Sequence, residues 1–337
     1  MFEISTLIIP LGFCSSCLIN FLLIYLTIFH VTCIKGTYKS MTVTFAVLCI
    51  VFDTAEVLSR PSLHNFNGSL MYFSLNQNPA KFGIVFYQWF IIIYGGLYTS
   101  IIAFVAVQFI FRYSCIIRHN YLLSSFEGCT SVIWFCFVII PGIVFCVLCK
   151  TLVEPDVYSD NYIREEVLRV YSRHIEEIPR LLMVPYDNKN RIRWNNYMFS
   201  ISEVVTMSFE YLIIFFCAFN MHRNIRKKLK TLSFRSRVLE NQFFRALLVQ
   251  ISLPTVFLTL PFLPIITLPL LDIKISFHSA AFYSALALYP SIDSIAMMLI
   301  VTEYRSCLKK LIKEKLRIAE PEDNKSSSSS VIGKPTN

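Results

Sequence analysis

Five carboxylates sit inside long apolar runs of the chain: Asp53, Glu56, Glu203, Glu210 and Asp293. An ionised carboxylate at the middle of a bilayer costs at least about 2.5–3.5 kcal/mol, so each needs a partner, a water pocket or a proton. Asp53 and Glu56 are three residues apart and share a helix face. Facing inward, they have Asp293 as a polar neighbour across a bundle. Two roles fit: a polar contact that positions the second and seventh spans, or a ligand contact or protonation switch. Glu203 falls near the outer end of the fifth span, within reach of a vestibule, and Glu210 falls deeper.

Other chemistry finds no support. His30, His64, His119, His174, His222 and His278 are scattered, with no H-E-x-x-H pair to hold zinc. Neither a G-x-x-x-x-G-K-[ST] loop nor a G-x-S-x-G elbow occurs. The 11 cysteines form no paired C-x-x-C array. Cys14, Cys17, Cys49, Cys129, Cys136, Cys146 and Cys217 lie in apolar runs and read as small buried hydrophobes. No enzyme, metal, cofactor or nucleic-acid partner is expected.

The elements that must position the acids follow from composition. Of 337 residues, 55% are apolar and 16% charged, and the mean hydropathy is +0.56. Globular chains average about 45–50% and about 25%. Too little polar surface remains to cover a soluble particle, so the chain is expected to be a polytopic, all-α membrane protein. A bilayer core about 30 Å thick needs about 20 apolar residues per helix. Seven runs qualify, at about 4–29, 41–58, 82–111, 129–149, 197–219, 246–271 and 277–301. Residues 1–301 thus read as one seven-helix domain. The first run lacks a basic leader and is too long for a signal peptide, so it is kept as a span. Pro254, Pro261, Pro264 and Pro269 crowd the sixth run. Its helix should bend, with neighbours or water taking the freed carbonyls.

Direction follows from the cations. With the N-terminus outside, the inner connections hold 20 Lys and Arg and the outer ones 11, which the positive-inside rule favours. Asn67-Gly68-Ser69 is then an outer glycosylation sequon. The large outer loop, 150–196, carries a tract from Asp160 to Ile178. Its Ile163, Val167, Val170, Tyr171 and Ile175 are at helical spacing, predicting an amphipathic helix over the helix mouths. On the inner side, residues 302–318 place Tyr304, Leu308, Leu311, Ile312 and Leu316 on one face of a helix lying along the membrane. Cys307 beside it is a palmitoylation candidate. Residues 319–337 read as a disordered tail, with Ser326–Ser330 open to phosphorylation.

Such a layout, with a basic inner face at 221–245, is that of a G-protein-coupled receptor by analogy of fold alone. In the outer half, Trp89, Tyr94, Tyr98, Phe257, Phe262, Phe282 and Tyr283, with Glu56 and Glu203, are candidates to line an aromatic ligand pocket. Arg112 is the inner-face cation best placed to meet a G-protein tail. Arg223, Arg226, Lys227 and Lys228 would supply electrostatic docking.

Several strings resemble nematode serpentine chemoreceptors of the str class or a close relative such as class srj. They are Gly36-Thr37-Tyr38-Lys39-Ser40-Met41, Arg60-Pro61-Ser62-Leu63-His64 and Phe109-Ile110-Phe111-Arg112-Tyr113. Further along come Asn241-Gln242-Phe243-Phe244-Arg245-Ala246-Leu247 with Gln250 and Pro254, Leu288-Tyr289-Pro290-Ser291-Ile292-Asp293, and Glu303-Tyr304-Arg305. The match departs at Phe111, where the family usually has Tyr, and at Ser294, where it often has Pro. No cysteine pair evidently joins the top of the third span to the 150–196 loop. The resemblance implies a seven-helix receptor of sensory-neuron cilia. It would detect small-molecule odorants and signal through a heterotrimeric G protein, with Arg112, Tyr113, Arg245, Tyr289, Pro290 and Asp293 among its coupling and switch residues. The competing reading is a seven-helix ligand-gated cation channel subunit, whose inside N-terminus the cation count and Asn67 disfavour.

Overall fold

The computed structural model describes residues 2–31, 36–76, 82–228, 234–278 and 287–319. In chain order α1 (Phe2–Tyr25) runs into a π turn at Leu26–His30, and α2 (Thr37–Ser59) leads to a hairpin of β1 (Pro61–Phe66) and β2 (Ser69–Ser74). Next come α3 (Ile84–Ile117), a short α4 (Asn120–Ser124), α5 (Ser131–Leu152), α6 (Val157–Tyr171) and β3 (Arg180–Met183). α7 (Trp194–Lys228) precedes α8 (Phe234–Pro254), a π turn at Thr255–Thr259 and α9 (Leu260–Leu270). β4 (Phe277–His278), α10 (Tyr289–Ile300) and α11 (Thr302–Ala319) complete the described elements.

Among the described residues, five helices are long and apolar enough to cross a membrane: Ile8–His30, Thr37–Ser59, Ile84–Ile117, Gly128–Leu152 and Trp194–Asn224. The sixth crossing is the unbroken helical run of α8, π turn and α9. For the seventh, α10 has 12 residues, about 18 Å of rise. α3 sits centrally, against α2, α5, α7 and α8. α5 and α7 turn Ile133, Phe135, Ile143, Leu212, Phe215 and Phe216 outward. Such a face suits lipid and not water. α3 and α5 meet backbone to backbone: a Cβ at Gly142 would stand 2.6 Å from the Gly96 carbonyl oxygen. Small residues permit this close approach in membrane bundles.

Two expectations are corrected here. The segment from 59 to 81 is not a plain loop, because Asn67 (φ 45°) and Gly68 (φ 81°) form a two-residue turn between β1 and β2. And Phe277–His278 does not begin the seventh helix. It pairs antiparallel with β1, Asn65 opposite Phe277 and His64 opposite His278, and so covers an edge of the sheet. The order is β3-β2-β1-β4, with Leu70 opposite Met183 and Tyr72 opposite Leu181.

Strand alternation gives this sheet two faces. Leu63, Leu70, Leu181 and Met183 face the bundle core, whereas Met71, Phe73 and Leu182 pack with Ile163, Val167, Ile175 and Ile178. The predicted amphipathic helix thus covers the sheet, and the sheet covers the bundle. That helix stops at Tyr171, where Ser172 turns left-handed (φ 54°), and a 3₁₀ turn follows at Ile175–Glu177. Arg180 on β3 ties the layers: it bonds both Asp160 oxygens at 2.9 and 2.7 Å and the carbonyls of Ile175 and Ile178. α11 docks at the opposite end, where the Gln242 side-chain oxygen accepts from Thr302 N–H at 3.1 Å and Tyr304 OH meets Thr27 at 2.9 Å. The 320–337 tail lies outside the described residues.

Candidate functional site

Beneath the sheet lies a cavity of about 350 Å³. α3 supplies Tyr94, Gly95, Tyr98 and Thr99 to its wall, and α5 supplies Phe145 and Cys149. From α7 come Phe199, Glu203, Val204, Met207, Ser208 and Tyr211, and from the π turn and α9 come Thr259, Phe262, Leu263 and Ile266. Leu63, Leu70, Tyr72, Leu181 and Met183 roof it.

The prolines of the sixth crossing shape the floor. The π turn after Pro254 places Thr255 and Thr259 where the Tyr211 hydroxyl reaches both, at 3.0 and 2.8 Å. Tyr98 OH meets the same Thr259 at 2.8 Å. π turns recur at functional sites because the extra residue displaces a side chain from its ordinary register. These hydroxyls satisfy one another, leaving an apolar cavity with one carboxyl, Glu203, in its wall.

Of the residues expected at a ligand site, Tyr94, Tyr98, Glu203 and Phe262 line this space. Trp89 is 42% exposed outside it, with Lys150 Nζ 5.7 Å from its ring centre. Glu56 is buried and also outside the lining. Phe257 lies on the π turn, its side chain not among the described ones; Phe282 and Tyr283 lie outside the described residues. Sequence reasoning missed the roof, although Asn67-Gly68 between alternating apolar residues is a hairpin signal. It also missed Tyr211 and Thr259, whose meeting 48 residues apart has no local signature.

The buried acids divide. Asp53 accepts from Ser16 Oγ, Asn20 donates to Ser16 Oγ at 2.9 Å, and Ser294 donates to Asn20 at 2.7 Å. With Ser15 and Ser291 at 3.0 Å, this chain of polar contacts joins α1, α2 and α10. Asp53 therefore reaches the seventh helix through Ser294. Asp293 instead borders a space of about 20 Å³ with Thr42, Gln108 and Gln250.

At the other end of α3, Arg112 is 5% exposed. Its guanidinium lies 3.4 Å from the Tyr38 ring centre and 4.1 Å from that of Phe243, and Nη1 is 3.3 Å from Glu240. Cation–π and ionic attraction together hold α2, α3 and α8 on one side chain. Tyr113 packs edge-on to Phe216, while Arg223 is exposed beside Phe219 and Arg245 is exposed on α8. Arg226, Lys227 and Lys228 continue α7, with side chains outside the described set. Tyr289, Pro290 and Asp293 are buried at the start of α10.

Squid rhodopsin has a matching architecture, at a TM-score of 0.51 and 13% identity, covering 96% of this chain and 88% of that one. The fold is therefore the helical-bundle fold of that protein. The family described as serpentine type 7TM GPCR chemoreceptor Str matches residues 5–309, and the chain belongs to it. Two similar proteins from Caenorhabditis elegans are known as G-protein coupled receptor str-33 and serpentine receptor class r-10. The first is 37% identical over 92% of this chain and 91% of its own length. The second is 23% identical over 80% of each. The chain is accordingly an integral, multi-pass membrane protein of a receptor family.

Proposed function

We propose that this receptor binds a small-molecule odorant in the roofed cavity and activates a heterotrimeric G protein at the Arg112 end. One observation carries the reading: a single helical run from Phe234 to Leu270 bears residues of both places. Thr259 and Phe262 border the cavity, while Glu240 and Phe243 hold Arg112. Sixteen residues separate Phe243 from Thr259, about 24 Å along a helix.

The apolar wall favours a ligand mainly by burial, at about 25 cal/mol per Å². A ligand shifts a population only by its differential affinity for two states. An agonist that prefers the cavity with α9 displaced therefore favours displacement of α8, and that parts Glu240 from Arg112. The freed guanidinium would meet the G-protein tail, with Arg223 and its basic neighbours steering the approach. The sheet end faces outside, with Asn67 as a glycosylation site, and α11 faces the cytoplasm. The plasma membrane of sensory cilia is the proposed location.

Expression in reporter cells, screened against volatile and soluble odorants, tests this reading. A compound that drives G-protein signalling in the wild type but not in a cavity-filled Met207→Trp receptor supports it. Equal responses from both would refute the cavity as the site.

A further inference from the structure

We infer that the cavity selects apolar molecules ending in a single basic nitrogen, held as an ammonium by Glu203, and rejects carboxylic acids. The inference rests on the reading of the cavity as the ligand site, and it adds the class of ligand.

Glu203 is 8% exposed and is part of the cavity wall. Among the described residues no hydrogen bond or ion pair engages its carboxyl, and the described lining holds no Lys, Arg or His. Several other polar groups of the wall are committed to the protein. Tyr72 OH donates to the Ile91 carbonyl at 2.9 Å, Thr99 to the Gly96 carbonyl at 2.8 Å, and Tyr98, Tyr211 and Thr259 to one another. Ser208 adds a neutral hydroxyl, so among the described lining recognition of charge falls to one carboxyl in an otherwise uncharged, largely apolar chamber. There an ammonium finds its complement, and a ligand carboxylate meets like charge without a counter-ion. Glu210, on the same helix, is buried outside the lining and offers a ligand nothing. At about 350 Å³ the chamber lies near the lower end of ligand sites, about 300–1,000 Å³, which suits a molecule of odorant size.

The test uses the full-length receptor in nanodiscs and three probes with one skeleton: 2-phenylethylamine, 2-phenylethanol and 3-phenylpropanoate. The amine should bind about tenfold to a hundredfold more tightly than the alcohol, as expected for a charge-assisted hydrogen bond, and the acid not at all. Glu203→Gln should abolish the amine's advantage over the alcohol, and thermal unfolding of the ligand-free variant like that of the wild type reports that it folds. Met207→Trp should remove binding of both. An amine no tighter than the alcohol, or an advantage that survives Glu203→Gln, overturns the inference. If alcohol binding is still lost in Met207→Trp, the cavity reading survives that result. Failure of every probe to bind the wild type overturns both.

Discussion

The side-chain amide of Asn65 on β1 donates to the backbone carbonyl of Ile265 on α9 across 3.1 Å. In an unbroken helix that carbonyl would accept from residue 269, which is a proline and has no N–H. The roof of the cavity is thus fastened to the sixth crossing at a carbonyl that Pro269 leaves free. Tyr186 adds a second fastening, donating to the Leu270 carbonyl at 2.7 Å.

Asn65→Ala leaves the Ile265 carbonyl buried without a donor, at a cost of about 1–3 kcal/mol. Thermal unfolding of the purified receptor should shift downward. A cavity ligand should also dissociate faster, because the roof is less firmly held. An unchanged melting temperature would show that this bond does not hold the roof.

Glu240→Gln removes the charge facing Arg112 while keeping the side chain's size. The state with α8 held in should lose about 1–2 kcal/mol, raising ligand-free signalling about fivefold to thirtyfold where that state predominates. Basal nucleotide exchange on an added G protein measures it. Basal exchange equal to wild type would mean that the Arg112–Glu240 pair does not restrain the sixth helix.

Gly142→Val should be among the most damaging single changes in the bundle. Its side chain would meet the Gly96 backbone, which has no rotamer with which to yield. Overpacking of this kind costs about 1–3 kcal/mol, here toward the upper end. Loss of surface expression, with partial rescue at reduced temperature, is expected. Wild-type expression would contradict the packing.

Asp156 caps α6: its carboxyl accepts from Ser159 N–H at 2.8 Å and pairs with Arg193, while its own N–H donates to Ser159 Oγ at 3.0 Å. Burial is the largest single influence and pushes the carboxyl up. The Ser159 hydrogen bonds and the Arg193 charge outweigh it together and hold the group below the ordinary carboxylate range. A folded-state pKa below the unfolded value of about 3.9 stabilises the helix above that pH, and the stabilisation disappears as pH falls through the folded value. Protection from amide exchange at the start of α6, taken relative to the intrinsic rate at each pH, should therefore fall below about pH 4, and Asp156→Asn should remove that dependence.

How much of this was legible in the sequence depended on whether the cause was local. Long apolar runs announced the crossings, and Tyr94, Tyr98, Glu203 and Phe262 could be placed near a pocket because each lies on a span at the right depth. Asn67-Gly68 was legible both as a sequon and as a tight turn. The sequon alone says nothing of strands, whereas the tight turn implies the sheet that roofs the pocket. Phe277 and His278 extend an apolar run and carry no strand periodicity over two residues, so pairing with β1 decides their conformation. Arg112 was visible as a cation at the end of a span, but its restraint by Glu240, 128 residues away, is a product of packing alone.

Odorant-driven nucleotide exchange on a purified G protein, in nanodiscs holding either wild-type or Met207→Trp receptor, bears most directly on the link between cavity and Arg112. The account predicts exchange in the wild type and none above background when the cavity is filled. Equal stimulation of the two receptors, or odorant-gated current through bilayers containing receptor and no G protein, would contradict it.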